Sequence, residues 1–176
     1  MAPEIDSLVT RLRQSRLDRR TEHPPVRAAT WDLIKVALLV PVATAVLLAV
    51  LISLTKAFAG GGMHGLPSEV GAGWLTVHLV PLTVGDTTVG ALPLVPALLM
   101  IAAVAAVTAR AARNTATLSE VGTIAGAALA GPLLATALSL AVVADGSAVS
   151  SLGQADPLIA FGQTLLVQTI GVAIGV

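Results

Sequence analysis

The chain has no cysteine in its 176 residues. That absence removes disulfides, thiolate metal sites and a cysteine nucleophile together. Tyrosine is also missing and aromatic residues make up only 2%, so interfacial Trp/Tyr belts are thin. Trp31 and Trp74 are the two tryptophans, and each falls where a membrane interface is expected. Charged residues amount to 11%, against about 25% in soluble domains. The formal net charge is zero, so the total gives no reason to expect a nucleic-acid partner. No Walker loop, HExxH, GxSxG or Rossmann glycine pattern occurs. The expectation is therefore a protein that is not an enzyme, with no cofactor and no catalytic or metal-binding residues.

What the chain has instead is apolar length. Mean hydropathy is +0.88. Four stretches, 33–59, 89–109, 121–144 and 158–176, are long enough, or nearly so, to cross a bilayer, which takes roughly 20 apolar residues at about 1.5 Å each. Backbone groups in lipid must be satisfied internally, by helix or closed barrel. The fold expected is an all-α integral membrane protein with about four transmembrane helices. The first stretch follows some 30 polar residues and is longer than a signal-peptide core of about 7–15 residues. It reads as a retained anchor.

Basic residues set the orientation. Arg11, Arg13, Arg16, Arg19, Arg20, Arg27 and Lys35 precede or open the first span, and Arg110 and Arg113 follow the second. Segments 60–88 and 145–157 carry no Lys or Arg. The positive-inside rule places the amino terminus and the 110–120 loop in the cytoplasm and the other two segments outside. Lys56 is the exception, near the outer end of the first span, where its stem reaches the interface. Residues 1–32 form a basic cytoplasmic arm. Ile5, Leu8, Val9 and Leu12 at helical spacing allow either a surface amphipathic helix or a solvated tail. The fourth span ends at Val176 without a basic flank, which favours a piece of a longer membrane protein over a terminus at the inner interface.

The outer segment 60–88 is unusual. Its run 73–85 is apolar but too short to cross, and it is read as a re-entrant or interfacial segment displaying Trp74, His78, Pro81 and Gly85 on the outer face. Gly122, Gly126 and Ala130 in the third span, and Gly171 and Gly175 in the fourth, are candidate helix-packing or partner contacts, because small residues let backbones approach. Pro132 is expected to kink the third span. Gln168 lies within the fourth span. It needs an interhelical hydrogen bond worth about 0.6–2 kcal/mol, either as packing within the bundle or as a subunit or substrate contact. His78 is read as a satisfied interfacial histidine, or as one that senses pH. His64, Glu69 and Asp86 share its loop, but their spacing matches no metal motif. Asp145 and Asp156 mark the outer helix ends, with a cation path as the other reading. No charge sits at the centre of a span, which weighs against an ion-driven transporter.

One stretch is more distinctive. Trp74-Leu75-Thr76-Val77-His78-Leu79-Val80-Pro81-Leu82-Thr83-Val84-Gly85, followed by Gly90-Ala91-Leu92-Pro93-Leu94-Val95-Pro96, resembles the WLxVHxVPxxxG…GxLPLxP pattern of actinobacterial PerM-like membrane proteins. Thr108-Ala109-Arg110-Ala111, Ala130-Gly131-Pro132-Leu133-Leu134, Leu158-Ile159-Ala160-Phe161-Gly162 and Thr169-Ile170-Gly171-Val172-Ala173-Ile174-Gly175 extend the likeness. It runs over residues 33–176. The resemblance implies a multi-pass protein of the bacterial plasma membrane that supports cell division and envelope integrity. It would stabilise or scaffold single-pass divisome proteins such as FtsB. It also implies further spans beyond this chain, and it supplies no catalytic residue. The competing expectation is a transporter or permease subunit for a small solute.

Overall fold

Local breaks and caps decide where the helices begin: proline or glycine before the first two, side-chain caps at the last two. The computed structural model describes residues 26–84, 87–89, 94–113, 117–146 and 155–176. Most of the basic arm lies outside these residues, as do Gly85, Asp86 and Pro93. The order is α1 (Val26–Phe58), α2 (Leu66–Val77), β1 (Leu82–Val84), β2 (Thr87–Val89), α3 (Leu94–Ala112), α4 (Leu118–Gly146) and α5 (Pro157–Gly175). The chain divides after Asp32, and Leu33–Val176 forms one unit.

Four of the helices, α1, α3, α4 and α5, are long and apolar enough to cross a membrane. Their bounds differ from the sequence reading by a few residues, and each difference has a local cause. Helix α1 begins seven residues before Leu33, directly after the Pro24-Pro25 pair that cannot continue a helix. Helix α3 begins at Leu94 rather than at 89 because Thr87–Val89 pairs antiparallel with Leu82–Val84. Helix α4 opens on a reciprocal cap. The Thr117 N–H donates to Glu120 Oε2 at 3.2 Å, and the Glu120 N–H donates to Thr117 Oγ1 at 3.3 Å. Helix α5 opens on Asp156, whose Oδ1 accepts from the N–H groups of Leu158 at 2.8 Å and Ile159 at 3.3 Å. Asp156 thus serves as a helix cap.

Outward faces of the long helices are apolar. Leu38, Leu39, Val46, Leu47, Leu51 and Leu54 on α1 are all exposed. Large contiguous apolar surface of this kind is what a lipid-facing helix presents. Helix α3 packs along α5, α2 along α4, and α4 along α5. Glycines set the closest approaches. A Cβ added at Gly171 would lie 2.8 Å from Val104 Cβ, and one at Gly175 would lie 2.5 Å from the Ala105 carbonyl oxygen. The α5 stripe is therefore filled by α3.

Helix α1 meets α4 where a Cβ on Gly131 would collide with the Ala37 carbonyl. Pro41, four residues beyond Ala37, has no N–H to offer that carbonyl. The bare Gly131 backbone occupies the approach, a geometry suited to a weak Cα–H···O contact. Pro132 follows at once and is fully buried.

Candidate functional site

Helix α2 is the short one, at 12 residues, about 18 Å long and unable to span. It starts at Gly65, which takes a left-handed φ of 78°. Pro67 stands in its first turn, where a missing N–H costs least. Lys56, in the last turn of α1, fastens this end. Its Nζ lies 2.7 Å from Glu69 Oε1 and donates to the His64 carbonyl at 2.7 Å. A cation at one helix C-terminus and an anion at the next N-terminus both suit the helix dipoles.

The other end of α2 is buried. Val80 N–H donates to the Leu75 carbonyl at 3.0 Å and Leu79 N–H to the Thr76 carbonyl at 2.9 Å. That pair of bonds is a Schellman closure, with Leu79 at the position usually given to glycine, φ 63°. Leu75 and Val80 are both buried and supply its apolar contact.

This closure leaves His78 as the C-cap residue, with its side chain inside the bundle at 0% exposure. The imidazole Nδ1 is 2.9 Å from the Trp74 carbonyl oxygen. A carbonyl only accepts, so Nδ1 carries the proton. Nε2 then holds the lone pair and accepts from the Gln168 amide, Nε2 to Nε2, at 2.9 Å. Trp74 stacks on the imidazole, with ring centroids 4.5 Å apart and planes tilted by 39°. Its indole N–H donates to Thr136 Oγ1 at 3.0 Å. Thr136 and Thr164 share a further hydroxyl–hydroxyl bond of 2.9 Å.

Two polar rungs thus tie α2 into the bundle, one through Trp74, Thr136 and Thr164 and one through His78 and Gln168. Thr164 and Gln168 are one turn apart on α5, and both are fully buried. Every group is matched except one. Gln168 Oε1 is buried and has no partner. Burial holds the His78 imidazole below its ordinary pKa of 6.5, and the bond to the Trp74 carbonyl works in the opposite direction.

The sequence reading left 73–85 as a re-entrant or interfacial segment displaying Trp74 and His78; their side chains are not displayed but buried between helices. A short helix can carry an ionisable group inward when its last turn supplies the hydrogen bonds, and no spanning segment then shows that group in sequence. Val80 is buried with them, Pro81 is half-buried, and Gly85 lies outside the described residues. Gln168 has an interhelical partner, on α2. Gly171 and Gly175 contact α3. Gly122 and Gly126 have nothing within 4 Å of an added Cβ, and Ala130 is exposed. Asp145 is exposed at the end of α4. Among the described residues, no group of three His, Asp or Glu side chains is placed to hold a metal.

Thr136 is the residue the sequence reading missed. A lone threonine in an apolar helix ordinarily satisfies itself on its own backbone. The available signal was Trp74, whose N–H needs an acceptor wherever the ring is buried. No known family model matches the chain, and no solved structure matches it.

Proposed function

We propose that this chain is a non-enzymatic multi-pass membrane protein whose bundle docks the transmembrane helices of single-pass proteins. The contrast among its small-residue faces carries this reading. Gly131, Gly171 and Gly175 are each filled by a neighbouring helix of the same chain. Gly122 and Gly126 are not. Glycine in a helix interior costs roughly 0.5–1 kcal/mol relative to alanine. Two of them on an open face, with Ala130 continuing the row, bring no packing return among the described residues. A partner helix approaching that face closely would supply one.

The cellular setting follows from the resemblance of residues 74–96 to PerM-like proteins. On that basis the partners are single-pass division proteins such as FtsB, and the role is support of cell division and envelope integrity in the bacterial plasma membrane. A photoreactive residue at Leu134, exposed on the same face of α4 as Gly126 and Ala130, is expected to trap a single-pass membrane protein in cells. The same residue at Leu98, on the exposed face of α3, is expected to trap far less. Equal or absent trapping at both positions would contradict the docking role.

One observation favours the second reading, a small-solute carrier. Helix α2 ends inside the bundle beside an unpartnered amide oxygen, and interrupted helices often border substrate sites. Flux in proteoliposomes that Gln168→Leu abolishes would favour the carrier over the scaffold.

A further inference from the structure

The docking face on α4 makes no use of His78, yet His78 is the one ionisable side chain among the described residues that both lies inside the bundle and bonds across it. We propose that His78 and Gln168 form a proton-binding site, in which a proton taken up on His78 Nε2 is matched by rotation of the Gln168 amide. The inference stands apart from the docking role and does not rest on it.

The geometry of the neutral pair leads to it. With Nδ1–H committed to the Trp74 carbonyl, Nε2 can only accept, so the amide must present its NH2 group. That choice leaves Oε1 buried and unpaired. When hydronium gives its proton to the Nε2 lone pair, an O–H bond breaks, an N–H bond forms, water is released, and the imidazole becomes a cation with two donors. The amide NH2 then faces a donor and must leave. A half-turn about the terminal amide torsion brings Oε1 to the same place, where it accepts a charge-assisted bond. The acceptor left over in the neutral state is the group that the charged state lacks.

Two further features favour the cation. His78 caps the C-terminus of α2, the negative end of its dipole. The Trp74 ring lies at 4.5 Å, within cation–π range. Asp32 and Lys35 lie in the first third of α1 and Lys56 in its last turn; the charged side chains on the other packed elements sit at helix ends, Glu69 in the first turn of α2, Arg110 in the last turn of α3, Glu120 and Asp145 on α4, and Asp156 at the cap of α5. Both His78 ring nitrogens are engaged by Trp74 and Gln168. The groups that decide its protonation are therefore the Gln168 amide, the Trp74 carbonyl and the Trp74 ring stacked on it.

Trp74 is also the reporter. In the 176-residue Trp31→Phe chain in lipid nanodiscs, Trp74 is the sole tryptophan. Its emission is expected to be quenched along a single titration as the pH falls from about 8 to about 4, with a midpoint under about 6.5. His78→Gln should abolish the titration. Gln168→Leu, which offers the cation no acceptor, should weaken proton affinity about tenfold or more, one pH unit downward. Gln168→Glu should move the midpoint up by at least as much. As a check that needs no change at the site, a His23→Gln/His64→Gln protein leaves His78 as the sole histidine. Its ring 15N signals should show a neutral Nδ1–H tautomer at pH 8 and two protonated nitrogens below the same midpoint. Flat Trp74 emission and an unchanged 15N spectrum across the range would overturn the proposal. So would a midpoint that Gln168→Leu leaves in place in a protein of unaltered helical content.

Discussion

Removing either half of the His78–Gln168 pair strands the other as a buried polar group, at a cost of about 1–3 kcal/mol. His78→Leu and Gln168→Leu are each expected to destabilise the protein by that much in mixed-micelle unfolding. The double change should cost about 1 kcal/mol less than their sum, because the second loss strands nothing. Acid should act on the same pair. The folded pKa of His78 is depressed, so between about pH 6.5 and that lower value the unfolded chain holds the extra proton. Stability is full above about pH 6.5 and falls as the pH drops through this window. The His78-dependent part of the slope should be absent from His78→Gln, as thermal melts at stepped pH would record. Gln168 was legible in sequence as a group in need of a bond across helices. Its partner was not, because 90 positions separate the two and no periodicity links them. His78 itself looked interfacial because it lies in a segment too short to span, and sequence does not say which way such a segment turns.

Among elements, the glycine rows were the most readable feature and their partners the least. Four-residue spacing identifies a face that permits close approach, but it does not say whether that face turns toward the same chain or away. The outcome depended on neighbours: α5 turned its row onto α3, whereas Gly122 and Gly126 of α4 stayed open. In sequence Gly131 figured only within the Ala130–Leu134 likeness, although it sets the α1–α4 crossing. Gly131→Ala should therefore cost about 1–3 kcal/mol through forced separation of α1 from α4. Gly126→Ala, in open space within a helix, should be neutral or stabilise by up to about 1 kcal/mol. Unfolding of the two variants side by side checks the contrast. If docking occupies the Gly126 face, Gly126→Leu should also abolish trapping by a photoreactive residue at Leu134, two turns further along the same row, while leaving the isolated bundle intact.

For the molecule as a whole, the four long apolar helices were readable from hydropathy, since lipid allows few alternatives to helix. The distribution of arginines predicts their orientation. A reporter fused near Met63 should be active outside the cytoplasm and one fused after Arg113 inside it, and the reverse pattern would refute that orientation. The central claim is narrower: α2 enters the bundle and lies against α4. The absence of native cysteine makes it directly testable. A Cβ at position 71 would lie 3.1 Å from the Ser139 carbonyl oxygen and 3.4 Å from its Cα, so the two backbones are in direct contact there. In membranes a short bifunctional thiol crosslinker is predicted to bridge Gly71→Cys/Ser139→Cys within the chain, while Gly71→Cys/Gly122→Cys stays open. A first pair that remains open, or a second that closes as readily, would contradict the account.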